Sequence, residues 1–352
     1  MRNEIPVRSL FFIFLALSAL NLGCGGGAEV TSAPSENPST SVRAGKQMLL
    51  PTLGYVYAAG GNVARAIHGV PGAATLSAPL TVPAGVTGLT FAPGQKYALA
   101  EQGEGASLGL VEFSAAGPGV LLQLTGATLQ PEVIAFSPKG AAAVLYSAAE
   151  GQLQVWTGLP SNPKLARQVG SGELPGAVRL LALADDGVTL LEGTTSNGVY
   201  LVGSGGAEML ASVSDLGGIV FTPESNDALI FDHGAGALSL LHDVSGAHST
   251  SVLAQGLTGL GGNISLQTDG RRAVITASSA SQLWAIDLES QALQAVQLPT
   301  TPALLQPLRV PGHYLLAWEP GQPAWILNTN LEKGTVYFVP AAAELDAAAR
   351  VR

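Results

Sequence analysis

The chain has 352 residues, of which 47% are hydrophobic and only 12% charged, so a filled core is available and wholesale disorder is excluded. Its net charge of −9 lacks the basic footprint of a nucleic-acid binder. A single cysteine excludes an internal disulfide, a cysteine-based zinc site and an iron–sulfur cluster, while 44 glycines and 22 prolines speak for many turns and few long helices.

The N-terminus reads as an export address. Arg2 and Arg8 precede an apolar run from Leu10 to Leu20, too short to remain as a membrane span. Leu22-Gly23-Cys24-Gly25 then resembles a bacterial lipobox, with a small residue before the only cysteine of the chain. The resemblance implies that residues 1–23 are a lipoprotein signal peptide and that Cys24 is lipidated. Acyl chains on one cysteine supply enough buried CH₂ groups for stable anchoring. Gly25 lacks the acidic character of an inner-membrane retention signal, so a bacterial envelope with the outer membrane as destination is implied. Residues 24–46 are rich in Gly, Ser, Pro and Thr and read as a flexible tether.

From residue 47 to 340 a repeat sets the pattern. Phe91-Ala92-Pro93-Gly94, Phe136-Ser137-Pro138-Lys139-Gly140, Leu183-Ala184-Asp185-Asp186-Gly187, Phe221-Thr222-Pro223-Glu224, Leu266-Gln267-Thr268-Asp269-Gly270 and Leu308-Arg309-Val310-Pro311-Gly312 share one shape, and Leu49-Leu50-Pro51 opens the series. The lead residues 49, 91, 136, 183, 221, 266 and 308 recur about every 43 residues, the spacing of a propeller blade. Short apolar strands follow the turns at Tyr97-Leu99, Ala143-Tyr146, Val188-Leu191, Ala228-Phe231 and Ala273-Ile275. A further strand comes 17 to 19 residues after the lead, at Leu108/Leu110, Leu153/Val155, Tyr200/Val202, Leu238/Leu240 and Leu283. Each unit is one small sheet that cannot cover both of its faces alone, and radial packing hides them.

The expectation is an all-β protein: a β-propeller, with seven blades of four-stranded antiparallel sheets and six or eight blades as the alternatives. Residues near 42–48 are expected to supply a closing strand, and residues 341–352 a C-terminal tail with a short helix. Phe136-Ser137-Pro138-Lys139-Gly140, Tyr55-Val56-Tyr57 and Leu283-Trp284-Ala285-Ile286-Asp287-Leu288 resemble the YVTN and lactonase-like branch of bacterial, WD40-like propellers. That resemblance implies the fold and leaves function open, because such propellers host lactonases, quinoproteins and interaction modules.

Chemistry-bearing patterns are sparse. His233 and His242 have acidic neighbours, Asp232 and Asp243, and are the nearest approach to metal ligands, but they end successive strands and no metal is expected. Asp185-Asp186 reads as turn capping. Gly203-Ser204-Gly205-Gly206 and Gly259-Leu260-Gly261-Gly262 open no helix and lack a following Lys-Ser/Thr, so they are loops. Trp156 and Trp284 read as packing between blades. Trp318 and Trp325 flank Glu319-Pro320-Gly321-Gln322-Pro323, and with Tyr314 they are the candidate contact surface for a partner or a sugar. No catalytic residue is assigned and no cofactor is expected. The leading expectation is a monomeric, membrane-anchored scaffold that binds an envelope protein or polysaccharide. The alternative is an extracytoplasmic lactonase-like hydrolase acting on a sugar lactone.

Overall fold

In the computed structural model, residues 50–340 are described apart from 104–107, 128–129, 258–263, 268, 277–280, 300, 303 and 331–333. The strands fall into seven antiparallel sheets, each built from consecutive strands. Blade 1 holds β1 (Thr52–Ala58), β2 (Val63–His68) and β3 (Thr75–Leu76). Blade 2 holds β4 (Val86–Phe91), β5 (Tyr97–Gln102), β6 (Gly109–Ser114) and β7 (Gly117–Gln123). Blade 3 holds β8 (Val133–Phe136), β9 (Ala142–Ser147), β10 (Gln152–Thr157) and β11 (Lys164–Gly170). Blade 4 holds β12 (Val178–Leu183), β13 (Leu190–Thr194), β14 (Gly198–Gly203) and β15 (Gly206–Ser212). Blade 5 holds β16 (Leu216–Phe221), β17 (Ala228–Asp232), β18 (Ala237–His242) and β19 (Ser249–Ala254). Blade 6 holds β20 (Ile264–Leu266), β21 (Arg272–Thr276), β22 (Gln282–Asp287) and β23 (Leu293–Gln297). Blade 7 holds β24 (Gln306–Pro307), β25 (His313–Ala317), β26 (Ala324–Asn328) and β27 (Thr335–Val339).

Packing closes these sheets into a ring. Among the described residues the buried apolar side chains form seven clusters, each shared by two consecutive blades. Val144 and Leu153 of blade 3 meet Leu181 and Leu190 of blade 4. Leu191 and Val199 of blade 4 meet Leu216 and Ile230 of blade 5. The last cluster joins Leu315, Trp318 and Ile326 of blade 7 to Leu53, Val56 and Ile67 of blade 1. Neighbouring residues of one strand therefore face different blades, as Leu190 and Leu191 do. This explains why the second strands read as continuous apolar runs rather than strict alternation. The outermost strands have one neighbour only, and β15 is exposed along most of its length.

Six expected lead turns lie among the described residues, each closing the first strand of its blade onto the second. The closure is one repeated backbone bond, from the N–H after the lead to the carbonyl five residues on. It runs from Ala92 to Tyr97, Ser137 to Ala142, Ala184 to Thr189, Thr222 to Asp227 and Gln267 to Arg272, at 2.8–3.1 Å. In blade 7 the lead itself, Leu308, donates to His313 at 2.8 Å. The path needs one left-handed residue, which Gly140, Gly187 and Gly270 supply at φ of 69°, 67° and 72°.

Three strands of blade 1 lie among the described residues, and the expected closing strand at 42–48 lies outside them. One expectation is corrected. The second strand of blade 4 begins at Leu190 rather than Val188. Asp186 accepts the N–H groups of Val188 and Thr189 at 2.7 and 2.8 Å, which keeps these residues in the turn and leaves Val188 in solvent. Residues 1–49, with the expected signal segment, Cys24 and the whole of the expected tether, and the tail 341–352 also lie outside the described residues.

Candidate functional site

The first strands of the blades surround an axial cavity of about 200 Å³. Its wall is made by Ala135, Leu181, Ile219 and Ile264 from four successive blades, with Phe136 and Phe221 toward the lead turns. Gln267 also borders this cavity, and its side-chain amide is engaged from blade 7, where the Thr329 hydroxyl accepts its N–H. The described lining is largely apolar, with Ser265 and Gln267 as its polar side chains and no charged one.

The lead-turn end of the axis is polar. Asp185 stands where four other lead turns carry proline: Pro51, Pro93, Pro138 and Pro223. Its carboxylate accepts the backbone N–H of Lys139 from blade 3 at 2.8 Å and that of Glu224 from blade 5 at 3.2 Å. The side chains of Lys139 and Glu224 also pair with each other. Asp186 is exposed and caps its own turn, also taking the Thr189 hydroxyl at 2.6 Å. Partial burial pushes the Asp186 carboxyl upward, but the Thr189 and Val188 hydrogen bonds together outweigh it and hold the group below the usual carboxylate range. Asp185, Asp186, Glu224, Asp227 and Asp243 line an open groove of about 460 Å³ here. Among the described residues no three metal-ligating side chains are placed to hold an ion.

The opposite end, where blades cross over to their successors, carries a second polar cluster between blades 4 and 5. Arg179 is the extra residue of a β-bulge, since β12 slips its register against β13 between Val178 and Leu180. Bulges re-aim a side chain, and here the guanidinium reaches Asp215 at 3.1 Å and the Asn197 side-chain oxygen at 3.2 Å. The other oxygen of Asp215 lies 2.6 Å from Nδ1 of His233. The segment bearing Asp215 is fixed from both sides. Asp232 accepts the N–H groups of Ser214 and Asp215 and the Ser214 hydroxyl, and Asn197 donates to the Ser214 carbonyl. The His233 hydrogen bond, then Arg179, holds the Asp215 carboxyl below its usual range. An imidazole bonded to a carboxylate through Nδ1 presents Nε2 for proton transfer.

The expected site residues are dispersed. His233 and His242 sit at opposite ends of the β17–β18 hairpin, whose register pairs Ala228 with Leu241 and Asp232 with Ala237. His242 bonds the Ser251 hydroxyl at 2.9 Å, with Asp227 beside it at 3.7 Å. The two histidines therefore share no ligand. Tyr314 lies sealed between blades 6 and 7 at 1% exposure, and its hydroxyl has no partner. Burial pushes that hydroxyl far above the usual tyrosine range, and Tyr314 is not a surface contact. Trp318 is buried between blades 7 and 1 but borders, with Trp325, Glu319 and Pro323, an open hollow of about 350 Å³. Trp325 packs at 6.0 Å against Phe338, which is exposed. Trp156 and Trp284 pack at the blade 2–3 and 5–6 seams as expected.

Arg179 and Asp215 were not legible as a site in the sequence. They lie 36 residues apart on different blades, and only the bulge brings them together.

The chain is a seven-bladed β-propeller. No protein-family model matches it, and no curated protein is similar to it in sequence. Solved structures are similar in fold. A functionally unknown protein from Desulfotomaculum acetoxidans is 12% identical with a TM-score of 0.55, over 83% of this chain and 100% of that one. The periplasmic gluconolactonase of Pseudomonas aeruginosa is 17% identical with a TM-score of 0.53, over 82% and 95%. A putative 6-phosphogluconolactonase from Bacteroides uniformis is 15% identical with a TM-score of 0.53, over 82% and 95%. At such identities the propeller architecture is what the likeness shows.

Proposed function

We propose that this propeller is an extracytoplasmic binding module, tethered to the bacterial envelope through a lipidated Cys24 and acting without catalysis. The observation that carries the binding reading is the axis: an apolar, uncharged wall built by Ala135, Leu181, Ile219 and Ile264. Such a wall excludes water and receives a guest, while the loop faces remain for an envelope protein or polysaccharide. The lipobox-like Leu22-Gly23-Cys24 and the polar tether support the anchor.

A thermal-shift screen of residues 46–352 tests the binding reading, with sugar lactones, oligosaccharides, quinones and divalent metals in the panel. A guest at a hundredfold excess over its Kd raises stability by about 2.7 kcal/mol. A saturable shift with an oligosaccharide or an apolar compound, with no turnover, supports it; turnover of a lactone overturns it. Metabolic labelling with a fatty acid tests the anchor, which predicts label in the wild type and none in Cys24→Ser.

A second reading is a lactonase-like hydrolase. It is favoured by the Asp215–His233 pair and by the fold shared with a periplasmic gluconolactonase and a putative 6-phosphogluconolactonase. In that reading Nε2 of His233 takes a proton from the water that attacks the lactone carbonyl, and Asp215 holds the ring in the required tautomer. Lactone hydrolysis lost in both His233→Ala and Asp215→Asn identifies it.

A further inference from the structure

Glu192 lies in the middle of β13, the second strand of blade 4, and is completely buried. Both of its carboxyl oxygens are without a hydrogen-bond partner. It stands nine residues after the lead, where the other blades carry Ala100, Leu145, Ile230 and Ile275. Those residues pack onto the preceding blade. Glu192 is paired across strands with Leu181 and Tyr200, so its side chain shares the face of Leu181 and Leu190 that meets blade 3. An acid has thus been placed in an apolar seam.

Among the described residues, those packed in this seam include no charged side chain other than Glu192. The titratable side chains on the facing surfaces are Tyr200 of β14 and Tyr146 of β9. The rest is Val133 and Ala135 of β8, Leu153 and Val155 of β10, Val169 of β11, Leu174, and Val178 and Leu181 of β12. Four charged groups of these blades are engaged elsewhere. Arg179 bonds Asp215 and Asn197. Arg167 bonds the carbonyls of Val202 and Gly203. Glu132 accepts the N–H of Ala148, and Glu173 that of Gly170. A bare carboxylate in such a place is far costlier than the neutral acid. Burial accordingly pushes the Glu192 carboxyl up to about 7.

A cross-strand neighbour of Glu192 reaches the axis. Leu181, directly across from Glu192, lines the axial cavity from blade 4, and Ala135 lines it from blade 3. We propose that Glu192 is a proton-dependent latch of the blade 3–4 seam: as the neutral acid it keeps the seam shut, and its ionisation loosens the seam beside the axial cavity. No guest is needed for this, so the latch stands independently of the binding reading.

The test compares the full chain in detergent with Glu192→Gln and Glu192→Leu between about pH 5 and pH 8.5. Wild type is expected to lose roughly 5 °C or more in Tm relative to Glu192→Gln as the pH rises through neutrality. Amide exchange in β9 and β13 is expected to be faster in wild type than in Glu192→Gln at the high pH and equal at the low one. A Tm gap independent of pH, or equal exchange at both, overturns the proposal. Should neither variant fold, carbon-13 titration of the glutamate carboxyls in wild type decides. One carboxyl titrating near neutrality supports the latch, and all of them titrating in the acid range overturns it.

Discussion

Two seams flank blade 3, and they treat a buried polar group in opposite ways. The seam with blade 2 buries Tyr97 and Trp156 among leucines. The Tyr97 hydroxyl donates to the carbonyl of Gly140 at 2.7 Å, its ring meets Phe136 edge-on at 5.9 Å, and the Trp156 indole donates to Gln154 at 3.3 Å. Both of these polar tips have a partner. The seam with blade 4 is as apolar, yet Glu192 ends in it with neither oxygen bonded. A repeat architecture places both groups by the same arithmetic of strand and face, so the difference lies in the neighbours. The lead turn of blade 3 offers a backbone acceptor to one seam, and the other seam offers Glu192 no donor. One seam should therefore be insensitive to pH and the other tuned by it.

The largest effect should come from emptying the satisfied seam. Trp156→Ala removes a large side chain at 4% exposure and leaves a cavity between two blades. A loss of about 3–5 kcal/mol is expected in chemical denaturation, equal at acid and neutral pH relative to the wild type under the same conditions. A much smaller loss would mean that the blades slide to refill the gap.

Next in size is the pH dependence of the other seam. Glu192 ionises near 4.5 when unfolded and near 7 when folded. The folded chain therefore holds the proton more tightly. The stability this contributes is full below about pH 4.5 and is lost as the pH rises through 7. The difference corresponds to roughly 3 kcal/mol. Denaturation of wild type against Glu192→Gln should show that gap opening across this window. Trp156→Ala should keep the same window, because the two sites lie on opposite faces of blade 3.

Gly187→Ala tests how closely the 3–4 seam is packed at its rim. The residue has φ of 67°, and a methyl group would stand 2.7 Å from Cγ2 of Thr157 on blade 3. The conformation alone costs about 1–2 kcal/mol for an L-residue, and the contact adds to it. A wild-type Tm in this variant would show that the turn can rotate away from blade 3.

The ring itself was readable in the sequence because its cause is periodic. Phe91, Phe136, Leu183, Phe221 and Leu266 recur with the turn that follows them, and each closes the first strand of a blade. Glu192 was also visible in principle, as a charge at a repeat position otherwise filled by Ala, Leu and Ile. Its lack of a partner was not, since that depends on what the adjacent blade offers. The Asp215–His233–Arg179 cluster is further removed from sequence pattern. It depends on a bulge at Arg179 and on the Asn197 and Asp232 clamps, which sequence periodicity does not announce. Tyr314 misled for the converse reason: proximity to a Trp-rich loop in sequence says nothing about which face of β25 the ring takes, and it takes the seam.

The smallest expected effect separates two adjacent carboxylates that the sequence presents as equivalent turn caps. Asp186 serves its own turn, with three bonds to Val188 and Thr189. Asp185 serves its neighbours, reaching blades 3 and 5 at once. Each substitution by alanine should cost on the order of 1 kcal/mol, since these are partly solvated hydrogen bonds. Their signatures should differ. Asp186→Ala should speed amide exchange at Val188 and Thr189 alone. Asp185→Ala should do so at Lys139 and Glu224, which lie 46 residues before it and 39 after it. If both variants disturb only residues 184–189, the lead turns stand independently. The seams alone, with Glu192 in one of them, would then hold blades 3, 4 and 5 in place.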